Sequence, residues 1–159
     1  MTFDAAKLQT MLDGESAAVG SFIDLLRREQ ECLVRGDTDG VAAFIEPKSR
    51  CALELAGYAD RRTSLLRSLG YGSDRAGMTR LLRERTGTAS PALTAWQNLL
   101  KLAQTARLLN ETNGKLIDSR LQVTQRALGA LFSAARLPGA YAADGSTVSM
   151  RTAQQLAVA

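Results

Sequence analysis

Residues 41–69, VAAFIEPKSRCALELAGYADRRTSLLRSL, carry the most regular hydrophobic repeat of the chain. The repeat steps alternately by three and four residues, and seven of its nine positions are apolar. These positions are Val41, Phe44, Lys48, Cys51, Leu55, Tyr58, Arg62, Leu65 and Leu69. A period near 3.5 is typical of a helix in a coiled-coil-like bundle. Because Pro47 falls near the start, the opening of this segment is either a separate short turn or a kinked first turn of the helix.

A second repeat, from Asp4 to Arg35, predicts a partner helix on the N-terminal side. Six of its eight seam positions are apolar, and the eight are Leu8, Leu12, Glu15, Val19, Phe22, Leu26, Glu29 and Leu33. Between the two repeats, Gly36 is a typical helix C-cap, and Asp37 and Asp39 are candidate N-caps of the next helix. We therefore expect two antiparallel helices, over about 4–35 and 39–69, joined by a tight turn.

Two further helices are predicted downstream of residue 69. Ser73 is the expected N-cap of a short helix over about 74–85, and Ser90-Pro91 is a strong start signal for a helix over 91–136. The seam of this last helix is apolar at both ends and polar in the middle. Since Asn113-Gly114 is a common turn pair, either two shorter helices meet there or one helix of about 45 residues runs through.

The sequence as a whole predicts an all-α fold. We expect an antiparallel bundle of three long helices plus one short helix, with coiled-coil-like packing, over residues 1–137. Residues 138–159 contain mainly Gly, Ala, Ser, Thr and Gln and no long apolar stripe, so a mobile tail is expected there.

Several kinds of chemistry are excluded by the residues present. The chain has no histidine, which removes Ser-His-Asp triads and histidine-ligated zinc. Cys32 and Cys51 lie nineteen residues apart and form no CxxC motif, and a hairpin folded about residue 38 would place them opposite Phe44 and Leu25. We therefore expect two buried, free thiols, no metal and no cofactor. No nucleophile and base can be paired by spacing, so the protein is not expected to be an enzyme.

The charge distribution and the lengths of the apolar runs indicate which kinds of partner the protein binds and where in the cell it is located. The formal net charge is +4, and residues 81–159 carry nine basic and four acidic side chains. The arginines are scattered and not interleaved with aromatic residues, which argues against nucleic-acid binding. The N-terminus has no basic cluster followed by an apolar core, and no apolar run approaches the ~20 residues that span a bilayer. These features favour a cytoplasmic protein that does not insert into a membrane.

Three short segments resemble those of the FlgN family of flagellar type III export chaperones. They are Leu69-Gly70-x-x-Ser73-Asp74-Arg75, Asn110-x-x-Asn113-Gly114-x-x-Ile117 and Tyr141-x-x-x-Gly145-Ser146-Thr147. Their order and spacing are more specific than the first two helices, which any coiled-coil protein would match. The resemblance implies a cytoplasmic chaperone that holds the C-terminal helical segments of the hook-associated proteins FlgK and FlgL. It also implies that the chaperone prevents their premature assembly and delivers them to the export gate protein FlhA.

Candidate binding residues follow from the seam of the last helix together with this resemblance. A groove on a helical bundle can cover the apolar stripe of an unassembled subunit. The hypothesis assigns client binding to Asn110, Asn113, Ile117, Leu121, Leu128, Leu131 and Phe132. Tyr141 is assigned to docking at the export gate, since it is the one aromatic residue after position 137. The sequence leaves the oligomeric state open, and the alternative function is a self-associating coiled-coil scaffold without an export client.

Overall fold

The structure, a computed structural model, describes residues 3–136 and contains five helices and no strand in that range. The helices are α1 (Ala5–Arg35), α2 (Thr38–Ala42), α3 (Ile45–Ser68), α4 (Arg75–Thr86) and α5 (Pro91–Arg136). This arrangement confirms the all-α class, with three long helices. The predicted tail at 138–159 and the predicted domain boundary at 137 lie outside the described residues.

Polar side chains begin four of these helices. Asp4 accepts hydrogen bonds from the amides of Ala6 and Lys7, and Asp37 accepts one from Gly40. Ser90 accepts one from the amide of Leu93, as the Ser90-Pro91 signal predicts. The cap of α4 is Asp74, whose carboxylate accepts from Gly77 at 2.7 Å. The prediction of Ser73 at this position was therefore wrong by one residue.

The segment around Pro47 differs from a single helix over 39–69. A five-residue helix, α2, comes first, and α3 starts at Ile45. Pro47 then occupies the first turn of α3, where an amide proton would have no partner within the helix. The structure thus adopts the separate short opening, one of the two alternatives, and Pro47 lies in the first turn of the long helix.

The relative directions of the long helices follow from contacts between them. Glu15 pairs with Arg62, and Glu29 pairs with Lys48, so α1 and α3 run antiparallel. Asn113 of α5 bonds to Leu26 and Glu29. The start of α5 shares a surface pocket with the start of α1, which makes these two helices parallel.

The buried core draws on α1, α3, α4 and α5. Trp96 is 5% exposed and donates from its indole nitrogen to Thr79 Oγ1 at 3.1 Å, which ties α5 to α4. The core cluster comprises Leu8, Leu12, Val19, Ile23, Leu26, Leu66, Met78, Leu81, Leu82, Ala92, Leu93, Trp96, Leu99 and Ala106. Both cysteines are free, as expected. Cys32 is buried, but Cys51 is only half-buried, so the expectation of two buried thiols was wrong for Cys51.

The chain divides into two compact units, residues 1–117 and 118–159. The first unit holds α1 to α4, the core cluster and α5 as far as Ile117. The second unit is described over 118–136, all of it helical. No break occurs at Asn113-Gly114, so of the two alternatives for the last helix the structure adopts the continuous one.

Candidate functional site

The second unit presents large apolar side chains to solvent. Every residue from 118 to 133 is exposed. Leu121, Leu128, Leu131 and Phe132 are 55%, 47%, 66% and 66% exposed. Leu128 follows Leu121 by seven residues, and Leu131 and Phe132 follow Leu128 by three and four. At 100° per residue these spacings place all four side chains on one face of the helix. We call Leu121, Leu128, Leu131 and Phe132 the apolar stripe. Soluble domains rarely leave such a set uncovered unless it binds something.

The apolar stripe is almost free of charge. Within residues 121–133, Arg126 is the one charged residue, and its position lies on the side of the helix opposite Leu128. Val123, 61% exposed, also lies away from the stripe. Contact with this face therefore depends on apolar burial and shape rather than on ion pairing.

The remaining client-binding candidates precede this unit on α5 and differ among themselves. Ile117 is 40% exposed and Asn110 is exposed. Asn113 is fully buried, and its amide nitrogen donates to the Leu26 carbonyl and to Glu29 Oε2, both at 2.8 Å. Both neighbours are acceptors, which fixes the orientation of the amide. With both donor hydrogens engaged in the bundle, Asn113 presents no surface to a partner in this structure.

Glu29 joins three helices in a buried polar cluster. Its carboxylate accepts from Lys48 Nζ at 2.9 and 3.0 Å and from Asn113 Nδ2. The Glu29 side chain is 5% exposed and the Lys48 side chain 23%. We call Glu29, Lys48 and Asn113 the Glu29 layer. Charge-assisted hydrogen bonds of this kind fix both partners in position.

A second cluster built around a buried glutamate lies fourteen residues earlier on α1. Glu15 accepts from Arg62 Nη1, and the Arg62 guanidinium lies 5.6 Å from the centre of the Trp96 ring. Glu15, Arg62 and Trp96 form the Glu15 layer, which again takes one residue from each long helix. The layers are about 21 Å apart along α1, at 1.5 Å per residue.

Sequence reasoning did not pair these charges, although a signal was present. The two non-apolar positions in the α1 seam are both glutamate, and those in the α3 seam are Lys48 and Arg62. Both sets are fourteen residues apart, so one antiparallel register pairs them all. A hairpin folded about residue 38 would place Glu29 opposite residue 47 and Glu15 opposite residue 61. In the structure Glu29 meets Lys48 and Glu15 meets Arg62, so the observed register is shifted by one residue.

A surface cluster around α4 lowers the pKa of one carboxylate. Arg80 Nε and Tyr71 Oη each donate to Glu84 at 2.7 Å. The hydrogen bond from Arg80, followed by that from Tyr71, lowers the pKa of Glu84 below its ordinary value. The groups are solvent-exposed, so this cluster is an ordinary surface network and not a reaction centre.

Within residues 3–136, no group of three or more His, Cys, Asp or Glu side chains is placed to hold a metal ion. None of the helices described is both long and apolar enough to cross a membrane. Tyr141, the expected gate-docking residue, lies outside the described residues.

Comparison with known proteins places the chain in a family. Residues 1–149 match the family described as FlgN protein. The flagella synthesis protein FlgN of Yersinia enterocolitica is 28% identical over 132 residues, which cover 79% of this chain and 79% of that protein. No solved structure matches the chain. The match extends over the core, both layers and the apolar stripe, and by it the chain belongs to the FlgN family.

Proposed function

We propose that this protein is a cytoplasmic flagellar export chaperone for hook-associated proteins. Membership of the FlgN family supports a flagellar export role in general. The specific clients proposed are FlgK and FlgL, bound through their C-terminal helical segments and delivered to the export gate protein FlhA. The observation that carries the proposal is the apolar stripe, four large apolar side chains exposed on one face of α5.

The mechanism requires binding and release but no covalent chemistry. An amphipathic client segment exposes an apolar face before assembly, and pairing that face with the stripe removes both from water. The hydrophobic free energy gained on binding is roughly proportional to the apolar area that is buried. Because the stripe spans only about three helical turns, we propose an affinity that an export gate can reverse. We therefore propose neither an enzymatic activity nor a cofactor.

The proposed contact residues keep most of the sequence-derived set. In the second unit we propose Leu121, Leu128, Leu131 and Phe132 as client contacts. In the first unit the exposed residues Ile117 and Asn110 are proposed as further contacts, Ile117 by apolar contact and Asn110 by a hydrogen bond. Asn113 is proposed to act indirectly, since its amide holds α5 to α1 within the first unit.

The test is size-exclusion chromatography with light scattering, with FlgK or FlgL and with versions of each that lack the C-terminal segment. We expect a complex that needs the segment. A Leu121→Asp/Leu128→Asp variant should weaken it at least about a hundredfold, since two buried apolar contacts are replaced by charges. The matched control is Val123→Asp/Ala130→Asp, which places two aspartates seven residues apart on another face of the same helix and should bind normally.

Two results would overturn the proposal. One is undiminished binding by a folded Leu121→Asp/Leu128→Asp variant, which would remove the stripe from the interface. The other is a stable dimer that binds neither FlgK nor FlgL, which would favour the self-associating scaffold instead. Either chain variant is checked for native helix content by circular dichroism.

Docking at the gate is proposed separately for Tyr141. An aromatic side chain is a common anchor of a short docking segment. We expect a Tyr141→Ala variant carrying FlgK to lose capture by the cytoplasmic domain of FlhA while its binding of FlgK is unchanged. Equal capture by the variant and the parent protein would rule out this role.

A further inference from the structure

The two ionic layers lie in the seam between α1 and α3. A protein that handles amphipathic helices faces a specific hazard, because a client helix resembles the helices of its own bundle. The apolar repeats of α1 and α3 have the period of any coiled coil, so apolar contacts alone would accept a foreign helix in place of α3. Some feature other than hydrophobicity must therefore distinguish α3 from a client helix.

Glu15 and Glu29 supply that distinction. Their side chains are 8% and 5% exposed, and their cationic partners Arg62 and Lys48 both belong to α3. A foreign helix with an uninterrupted apolar stripe would cover both carboxylates and supply no cation. Removing one partner of a buried pair is strongly destabilising, on the order of a hundredfold or more in an equilibrium constant.

The spacing sharpens the requirement. The cations are fourteen residues apart on α3, and so are the carboxylates on α1. A foreign helix satisfies both layers only with cations at this separation and in the antiparallel direction. The α5 members, Asn113 and Trp96, add contacts to Glu29 and Arg62 that the same register must preserve.

The apolar stripe presents no such barrier. Residues 121–133 contain no acidic side chain, so a helix can lie on that face without stranding a carboxylate. We propose that the Glu15 and Glu29 layers keep amphipathic client helices out of the α1–α3 seam and thereby leave the stripe as the place where they bind. The benefit to the protein rests on the proposed chaperone function, but the discrimination itself is a property of this chain.

The first experiment measures the discrimination within the chain. Lys48→Leu/Arg62→Leu makes α3 more apolar and leaves both carboxylates unpaired. We expect its folding equilibrium constant, from denaturant unfolding, to fall at least about a hundredfold. Adding Glu15→Leu/Glu29→Leu should restore it. Equal or greater stability of the Lys48→Leu/Arg62→Leu variant would overturn the proposal.

The second experiment adds a free helix to the full chain. The probe is a synthetic peptide of residues 45–68 with leucine at positions 48 and 62, at about millimolar concentration to match a short tether. Hydrogen exchange of the α3 amides should be unchanged in the parent protein. It should rise at least about tenfold in the variant with leucine at all four charged positions, because an untethered copy then competes on equal terms.

Each result of the second experiment decides the question. Faster α3 exchange in the parent protein would mean that the layers do not exclude an apolar helix. Unchanged exchange in the four-leucine variant would mean that exclusion does not depend on them. Neither experiment uses FlgK or FlgL, so failure of the chaperone assignment would appear only in the chromatography and cannot be confused with failure here.

Discussion

Asn113 uses the amide nitrogen of its side chain to hold α5 against α1. Its amide spans from α5 to the Leu26 carbonyl and the Glu29 carboxylate, and the residue is fully buried. Its own oxygen has no hydrogen-bond partner among the described residues. The cost of that acceptor is offset by two short donations, one of them to a charge.

The two asparagines of α5 allow a matched test of this role. Asn113→Ala removes both donations and leaves a small void, so we expect the free energy of unfolding to fall by about 2–3 kcal/mol. Asn110→Ala, three residues earlier and exposed, should change it by no more than about 0.5 kcal/mol. Thermal and urea unfolding monitored by circular dichroism measures both, and equal effects would contradict the burial assigned to Asn113.

Glu84 gives a prediction about acidity at the same scale. Arg80 lowers the pKa of Glu84 by a hydrogen bond and by its charge, and Tyr71 contributes a second hydrogen bond. Arg80→Gln should therefore raise this pKa more than Tyr71→Phe does. Because the folded-state pKa is depressed, the interaction stabilises the fold above the unfolded-state pKa and is lost as the pH falls through the folded value. A carbon-detected NMR titration of the glutamate carboxyl would show the reverse order if Tyr71 were the stronger partner.

At the scale of helices, starts and stops are set by a few local contacts. The loop from α3 to α4 turns at Gly70, which has a positive φ of 78°, and Gly72 of this loop lies against the first turn of α4. A β-carbon on Gly77 would overlap the carbonyl oxygen of Gly72. Glycine at 77 is thus required by the approach of the loop rather than by its own backbone angles.

Two glycines within helices should consequently respond to alanine in opposite ways. Gly77→Ala forces the 70–74 loop to move and should cost about 2 kcal/mol or more of unfolding free energy. Gly114→Ala meets nothing within 4 Å and should stabilise the protein by about 1 kcal/mol through helix propensity. Chemical unfolding of the two single variants gives both signs, and a destabilising Gly114→Ala would indicate a close neighbour at that position.

The helices were more predictable from sequence than their contacts. Periodicity and capping residues suffice for α1 and α5 and place α4 to within one residue, because both signals are local. The short α2 has no hydrophobic repeat of its own, so the repeat over residues 41–69 predicted a single helix that contains most of α2 together with α3. The ionic layers were not predicted, because the pairing of the charges depends on the register between α1 and α3. Asn113 was assigned to client binding, because a polar seam residue has the same spacing whether it faces a partner or the core. Each of these features depends on tertiary contacts.

On the scale of the whole chain, the core cluster and the apolar stripe occupy different stretches of sequence. The core cluster runs from Leu8 to Ala106, and all of it belongs to the first unit. From 118 to 133 every residue is exposed. The residues proposed to bind clients are therefore largely distinct from those that stabilise the fold.

Truncation should separate the two roles. A chain ending at Ile117 keeps the core cluster and both ionic layers, so we expect its thermal midpoint to stay within a few degrees of the parent value. It should no longer bind FlgK or FlgL. A chain ending at Arg136 keeps the apolar stripe and serves as the control, with binding retained. Loss of cooperative unfolding on truncation at Ile117 would show that residues after 117 contribute to the core.

The exposure of residues 118–133 also bears on how such a protein can change over generations. A substitution in that stretch alters no buried contact, so it is tested by selection almost entirely through what the helix touches. Substitutions among the core residues or the two glutamates are tested first through folding. A lineage whose exported subunits drift in shape could therefore follow them by changing a few exposed positions of α5, while the rest of the chain stays under constant constraint.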